Sequence, residues 1–104
     1  MSMPIKQTFT ENGEFKIGSF PPGAEFMFEW DGDPNGATVS LLKVSPTGVT
    51  RPYKTQDNSE LLAIEAGDTI VAMTNGRGFV LLKVEGGTNP SISTSLTRLY
   101  KDVD

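Results

Sequence analysis

Apolar and polar residues alternate with a period of two along much of the chain, as in β-strands that bury one face. The segment 25–30 (EFMFEW) places its three aromatic side chains on one face and Glu25, Met27 and Glu29 on the other. The segment 91–96 (SISTSL) alternates serine with larger side chains in the same way. We therefore expect sheets with one buried and one solvated face, and we expect Trp30 in the core.

Asn-Gly pairs interrupt this alternation at 12–13, 35–36 and 75–76. Asn-Gly suits the two positive φ angles of a type I′ turn between paired strands. The pattern predicts three hairpins, 5–10 with 14–18, 25–30 with 37–44, and 68–74 with 77–84, and further strands at 48–53, 60–65 and 91–100. The prediction is an all-β fold: a single domain, 1–104, forming an antiparallel β-sandwich of about eight to nine short strands, jelly-roll or Ig-like.

Two of these segments are apolar on both faces. In 37–44 the apolar positions change face, which predicts a β-bulge or a twist near Leu41. In 77–84 (RGFVLLKV) Phe79 and Leu81 oppose three other apolar side chains. Either a loop or the N-terminal segment covers this second face, or the face is a subunit interface. The interface alternative makes Phe79, Leu81 and Met27 the candidate interface residues.

The amino-acid composition limits the kinds of partner and reaction that we expect. The chain has no cysteine and no histidine, carries a net charge of −4, and spreads its nine Lys and Arg singly along the sequence. We therefore expect no nucleic-acid partner and no membrane partner. No apolar run approaches the roughly 20 residues that span a bilayer. We also expect no catalytic residues, no cofactor, no metal and no small-molecule substrate, and hence a protein that is not an enzyme.

The segment 30–36 (WDGDPNG) resembles the opening of an EF-hand loop, with oxygen ligands at Asp31, Asp33 and Asn35. The twelfth position of such a loop requires a bidentate glutamate, but here it is Leu42. A turn explains the same residues, because Asp and Asn bind nearby backbone donors and Gly36 tolerates a positive φ. We predict a turn, and weak cation binding by 31–35 stays an open alternative.

Aromatic residues offer a different kind of site. Carbohydrate-binding sandwiches expose flat aromatic side chains, and Tyr53 and Tyr100 are the candidates here, with Trp30 a third if it is exposed. A carbohydrate-binding or cell-surface-binding module is therefore the alternative hypothesis for function.

The order of three motifs resembles small β-sandwich structural (virion) proteins of tailed bacteriophages. The motifs are GATVSL at 36–41, VSPTG at 44–48 and GGTNPSIS at 86–93. The resemblance covers roughly residues 33–99 and departs from the usual pattern at Thr47, where an acidic residue is typical.

This resemblance implies a non-enzymatic structural protein located in the virion, for capsid decoration or stabilisation. A tail or neck accessory protein is the alternative within the same class. The expected partners are other copies of the chain, in a homo-oligomer for which a trimer is one candidate, and other virion proteins.

Overall fold

The computed structural model describes residues 4–55, 57–74 and 77–99. This part of the chain contains eight antiparallel strands and no helix, so it has no helix able to cross a membrane. The strands are β1 (Ile5–Phe9), β2 (Gly13–Ser19), β3 (Glu25–Asp33), β4 (Thr38–Val44), β5 (Thr50–Pro52), β6 (Thr69–Met73), β7 (Phe79–Glu85) and β8 (Ser91–Leu99). The all-β prediction is confirmed.

The strands form two four-stranded sheets packed as a sandwich. The first sheet has the order β1-β8-β3-β6 and the second has the order β2-β7-β4-β5. Strand β1 pairs with β8, β2 with β7, β3 with β6, and β4 with β5. The first strand thus pairs with the last, the second with the seventh, and so on inward to β4 and β5. This is the pairing of a chain that is folded in half as one long hairpin and then wrapped around a core. It is the eight-stranded jelly roll, one of the two predicted topologies.

The three predicted hairpins are wrong. The strands on either side of each Asn-Gly pair lie in different sheets. The two strands of each predicted hairpin are therefore not hydrogen-bonded to each other. The turn chemistry at 35–36 is nevertheless as predicted: Asn35 and Gly36 have φ angles of 46° and 88°, and Ala37 N donates to Pro34 O at 2.9 Å. The turn therefore carries the chain across the sandwich. The pair at 75–76 lies outside the described residues.

Among the eight strands of the described ranges, β4 and β5 are the consecutive pair that forms a hairpin, through the Ser-Pro-Thr-Gly turn. Gly48 N donates to Ser45 O at 2.9 Å and Ser45 N donates to Val49 O at 2.8 Å. Gly48 has a φ of 91°, which this turn requires.

The core lies between the sheets and is built from the alternation described above. Phe26 and Phe28 are fully buried and Trp30 is 3% exposed, as the pattern predicted. The second sheet contributes Val80, Leu82 and Val84 from β7, and the first sheet adds Ile92 and Leu96 from β8. The indole nitrogen of Trp30 donates to Ile64 O at 2.8 Å, so its polar atom is satisfied.

The predicted strand at 60–65 is also wrong. This stretch belongs to the long connection from β5 to β6, which closes one side of the sandwich. Leu61 N donates to Tyr53 O and Ile64 N donates to Val39 O, both at 2.8 Å. Leu61 and Ile64 are buried while Leu62 is 68% exposed, because the segment anchors at two points and does not extend as a pleated strand.

The predicted bulge near Leu41 is absent from β4, whose register against β7 is continuous from Thr38 to Leu42. The register shift lies in β2, between Lys16 and Gly18. Leu42 changes face by ordinary alternation and lies on the outer side of the second sheet beside Leu81 and Pro52. The apolar character of both faces of β4 therefore reflects an apolar outer surface.

Candidate interaction surfaces

In segment 30–36, which comprises the end of β3 and the turn after it, two carboxylates accept hydrogen bonds from the segment's own backbone. Asp33 Oδ1 accepts from Asn35 N at 3.0 Å, and Asp31 Oδ1 accepts from Gly32 N at 2.9 Å. The Asn35 side chain donates to Asn89 O at 2.8 Å and ties this turn to the β7–β8 connection. The turn prediction is confirmed for 34–36 and is wrong for Asp31–Asp33, which end strand β3 and pair with β8. Within the described ranges, no three acidic residues are grouped in a way that would hold a metal ion.

Gly32 in the same segment is a position that only glycine fits. Its φ is 122°, and a Cβ built there would lie 2.1 Å from the carbonyl oxygen of Ser91. Strand β3 therefore approaches β8 closely where it leaves the core. The glycine in this motif serves strand packing, not a cation loop.

The aromatic candidates do not form a binding platform in the described part of the chain. Tyr53 was predicted to be exposed, and this is wrong: it is fully buried and contacts Phe26 edge-to-face at 5.2 Å between ring centroids. Its hydroxyl donates to Phe79 O, and burial raises the pKa of the phenol. Trp30 is buried as well, and Tyr100 lies outside the described residues.

The outer face of the first sheet carries a polar depression of about 510 Å³. Ser93 and Ser95 of β8 form its floor. Lys6 and Thr8 of β1 lie opposite these serines on one side, and Glu29 and Asp31 of β3 lie opposite them on the other. The depression thus offers hydroxyls, one ammonium group and two carboxylates. No single sequence motif marks it, because its residues come from three strands that are distant along the chain.

Beside this depression lies an apolar area that we call the first-sheet patch, formed by Met27, Val71, Met73 and Leu99. Met27 is paired with Val71 in the register, and Met73 and Leu99 lie on either side of Glu25. Met73 is 48% exposed and the other three are half-buried. Glu25 and Glu29 flank Met27 along β3, so the rim of this patch is acidic.

The opposite side of the sandwich carries a second apolar area, which we call the second-sheet patch, formed by Leu42, Val44, Pro52, Phe79 and Leu81. Leu42 is paired with both Leu81 and Pro52 across the strands. All five side chains are half-buried on the outer face of the sheet.

Two basic residues border the second-sheet patch. Lys16 lies opposite Leu81 in the register, and its Nζ is 4.3 Å from the centroid of the Phe79 ring. Arg77 lies at the end of the patch, where its backbone nitrogen donates to Val44 O.

The structure therefore separates the three predicted interface residues. Phe79 and Leu81 lie together on the second sheet, and Met27 lies on the first sheet, on the far side of the core. Their role as interface residues stays a prediction. What the sequence did not indicate is that they belong to two different patches with rims of opposite charge.

Comparisons with known proteins extend the description of the fold. No protein-family profile and no curated protein sequence matches the chain. The IMPa metallopeptidase from Pseudomonas aeruginosa, solved with an O-glycopeptide, contains a similar domain, with a TM-score of 0.59 and 16% identity. That match covers 94% of this chain and 12% of the IMPa chain. The IMPa structure with T-antigen matches over 94% of this chain and 13% of that chain, with a TM-score of 0.59 and 17% identity.

A second similar structure is a small protein matched along its whole length. The SPBc2 prophage-derived protein YomS matches with a TM-score of 0.55 and 15% identity, over 95% of this chain and 97% of that chain. The present chain thus spans only 12–13% of IMPa but nearly all of YomS. At these identities, the likeness shows a shared fold.

Proposed function

We propose that this chain is a non-enzymatic structural protein of a bacteriophage particle, which acts through self-assembly and through contacts with other virion proteins. The observation that carries the proposal is the second-sheet patch. Apolar side chains occupy the outer face of a sheet at its central strands, β7 and β4, where a solvated sheet normally presents polar residues. Contiguous exposed apolar surface of this kind is typical of protein–protein contact sites.

The likeness to YomS supports the phage part of the proposal. YomS is a prophage-derived protein, and the match covers 97% of its chain and 95% of this one, so the two chains correspond in extent. Jelly rolls also recur in viral capsid domains, although they occur in lectins and cupins as well. Capsid decoration is the more specific form of the proposal, with a tail or neck accessory role as its variant.

Mass spectrometry of purified phage particles from a host that carries the gene tests the proposal. We expect peptides of this chain in intact particles. Their amount should correspond to a fixed number of copies of this chain for each copy of the major capsid or tail protein. A fixed ratio to the capsid protein supports decoration, and a fixed ratio to a tail protein supports the variant. Absence of the chain from particles of infective titre contradicts the proposal.

Carbohydrate binding is the second candidate, and the polar depression is the observation that favours it. Ser93, Ser95 and Asp31 present the hydroxyl and carboxylate groups that bind sugar hydroxyls. The similar IMPa structures were solved with an O-glycopeptide and with T-antigen, which motivates this candidate, although this chain corresponds to a small part of that enzyme. With Trp30 and Tyr53 buried, binding here relies on hydrogen bonds.

Isothermal titration of the chain with T-antigen separates the two candidates. A carbohydrate module gives a saturable signal that Asp31→Ala weakens and that Glu14→Ala, an exposed carboxylate on the other sheet, leaves unchanged. Absence of a signal at millimolar ligand concentration removes this candidate for that sugar. The tryptophan emission of Trp30 serves as a control for folding, since a buried indole emits at short wavelength in both cases.

A further inference from the structure

We propose that copies of this chain associate head-to-tail, with the first-sheet patch of one copy packed on the second-sheet patch of the next, an arrangement that rests on the self-assembly proposed above. The occupant of each patch is therefore a second copy of this chain. The two patches lie on the outer faces of opposite sheets, so one copy can use both at once. Contacts of this kind are heterologous, because two different surfaces meet.

The charges around the patches favour this pairing over the packing of either patch on its own copy. Glu25 and Glu29 border Met27, whereas Lys16 and Arg77 border the patch that contains Leu81. When unlike patches meet, acidic and basic rims face each other. When like patches meet, rims of the same sign face each other, and such juxtaposition costs several kcal/mol in general.

The apolar side chains of the two patches also complement each other. Met27 and Met73 give the first-sheet patch flexible side chains that adapt to an irregular surface. Phe79 and Leu81 give the second-sheet patch larger and stiffer side chains, and the ammonium group of Lys16 lies over the Phe79 ring. Desolvation of these side chains supplies the attraction, and the rims select the partner.

The placement of the patches limits the shape of the assembly. Heterologous contacts produce rings when the rotation between copies closes and filaments when it does not. Because the two patches lie on opposite sides of the sandwich, successive copies stack. A stack gives an open filament or a wide ring, and it disfavours the compact trimer that decoration of a capsid three-fold site would use.

A complementation experiment tests the geometry. Met27→Lys blocks the first-sheet patch and Leu81→Asp blocks the second-sheet patch, and each substitution places a charge beside residues of opposite sign on its own sheet. Native mass spectrometry is then run on each variant alone and on a mixture in which one variant is labelled with ¹⁵N. We expect each variant alone to be monomeric and the mixture to form complexes with equal numbers of the two chains.

The possible outcomes distinguish this geometry from the function on which it rests. A wild-type chain that assembles while Met27→Lys still forms homo-oligomers overturns the head-to-tail contact and leaves self-assembly standing. A wild-type chain that is monomeric at high micromolar concentration overturns both. Ile5→Lys is the matched control, because Ile5 is 41% exposed on the edge strand β1 and belongs to neither patch. It should assemble like the wild type.

Charge reversal at exposed rim positions repeats the test without replacing an apolar side chain of either patch. Lys16→Glu and Glu29→Lys should each reduce the wild-type oligomer at least tenfold in association constant, and the double variant should recover most of the loss. Recovery is specific to a contact in which Lys16 of one copy meets Glu29 of another. If the losses of the two single variants simply add, the pairing of the rims is wrong.

Discussion

Tyr53→Phe tests the buried position that sequence reasoning assigned wrongly. The substitution keeps the ring that contacts Phe26 and removes the hydroxyl that donates to Phe79 O. A buried hydrogen bond of this kind contributes about 1 kcal/mol net. At pH 7 we therefore expect the variant to be about 1 kcal/mol less stable, with a melting temperature lower by roughly 4–8 °C for a domain of this size.

The pH dependence gives the sharper result. Burial raises the pKa of Tyr53 in the folded state above the ordinary value of about 10 that it has in the unfolded chain. The folded state then holds its phenol proton where the unfolded state has released it. This contribution is fully present below pH 10 and is lost as the pH rises toward the folded pKa. At pH 11 the wild type has lost about 1 kcal/mol from this residue, and the variant has not.

The two stability curves should therefore converge above pH 10 and meet near pH 11. Urea denaturation monitored by circular dichroism at pH 7, 9, 10, 10.5 and 11 measures both curves. The difference between variant and wild type isolates Tyr53, since all other titrating groups are common to the two proteins. Equal stability at pH 7 together with parallel curves up to pH 11 would refute the buried, hydrogen-bonded phenol.

Two further substitutions test the connections between the sheets. Gly32→Ala should destabilise the fold by about 2 kcal/mol or more, because its φ is positive and the new Cβ would meet Ser91 O; an unchanged urea midpoint would show that β3 and β8 are less close there. Asn12→Ala should cost about 1 kcal/mol, because the Asn12 amide donates to Gly87 O and accepts from Gly87 N at 2.8 and 2.9 Å. Asn12→Asp keeps the acceptor for Gly87 N but sets a carboxylate oxygen against Gly87 O, so it should not recover the stability lost in Asn12→Ala; chemical denaturation at neutral pH ranks the three proteins.

The faces of the strands could be predicted from the sequence because side-chain direction alternates locally. Phe26, Phe28 and Trp30 are buried as the pattern indicated, and the outer position of Leu81 follows from the same rule. The partners of the strands could not be predicted in this way. An Asn-Gly pair specifies the φ angles of a turn, but the jelly roll uses such a turn to change sheets, and the pairing of β1 with β8 depends on the whole chain.

For the candidate sites too, the sequence predicted which side chains lie on an outer face but not which strands bring them together. Phe79 and Leu81 were identified because their strand is apolar on both faces. Their separation from Met27 could not be seen, because sheet membership is set by long-range pairing. Tyr53 was assigned to the surface since it follows Pro52 in a short strand, where alternation is too brief to indicate burial. The polar depression collects residues from three strands, and no local pattern brings them together.

The most direct test of the account is the mass of the purified chain in solution. Light scattering coupled to size-exclusion chromatography, from low to high micromolar concentration, should give masses that rise above the monomer value of 11.2 kDa. Leu81→Asp should return the mass to that of the monomer while its circular dichroism spectrum stays that of a β-protein. A wild-type mass of 11.2 kDa across the whole concentration range would contradict self-assembly through the two patches.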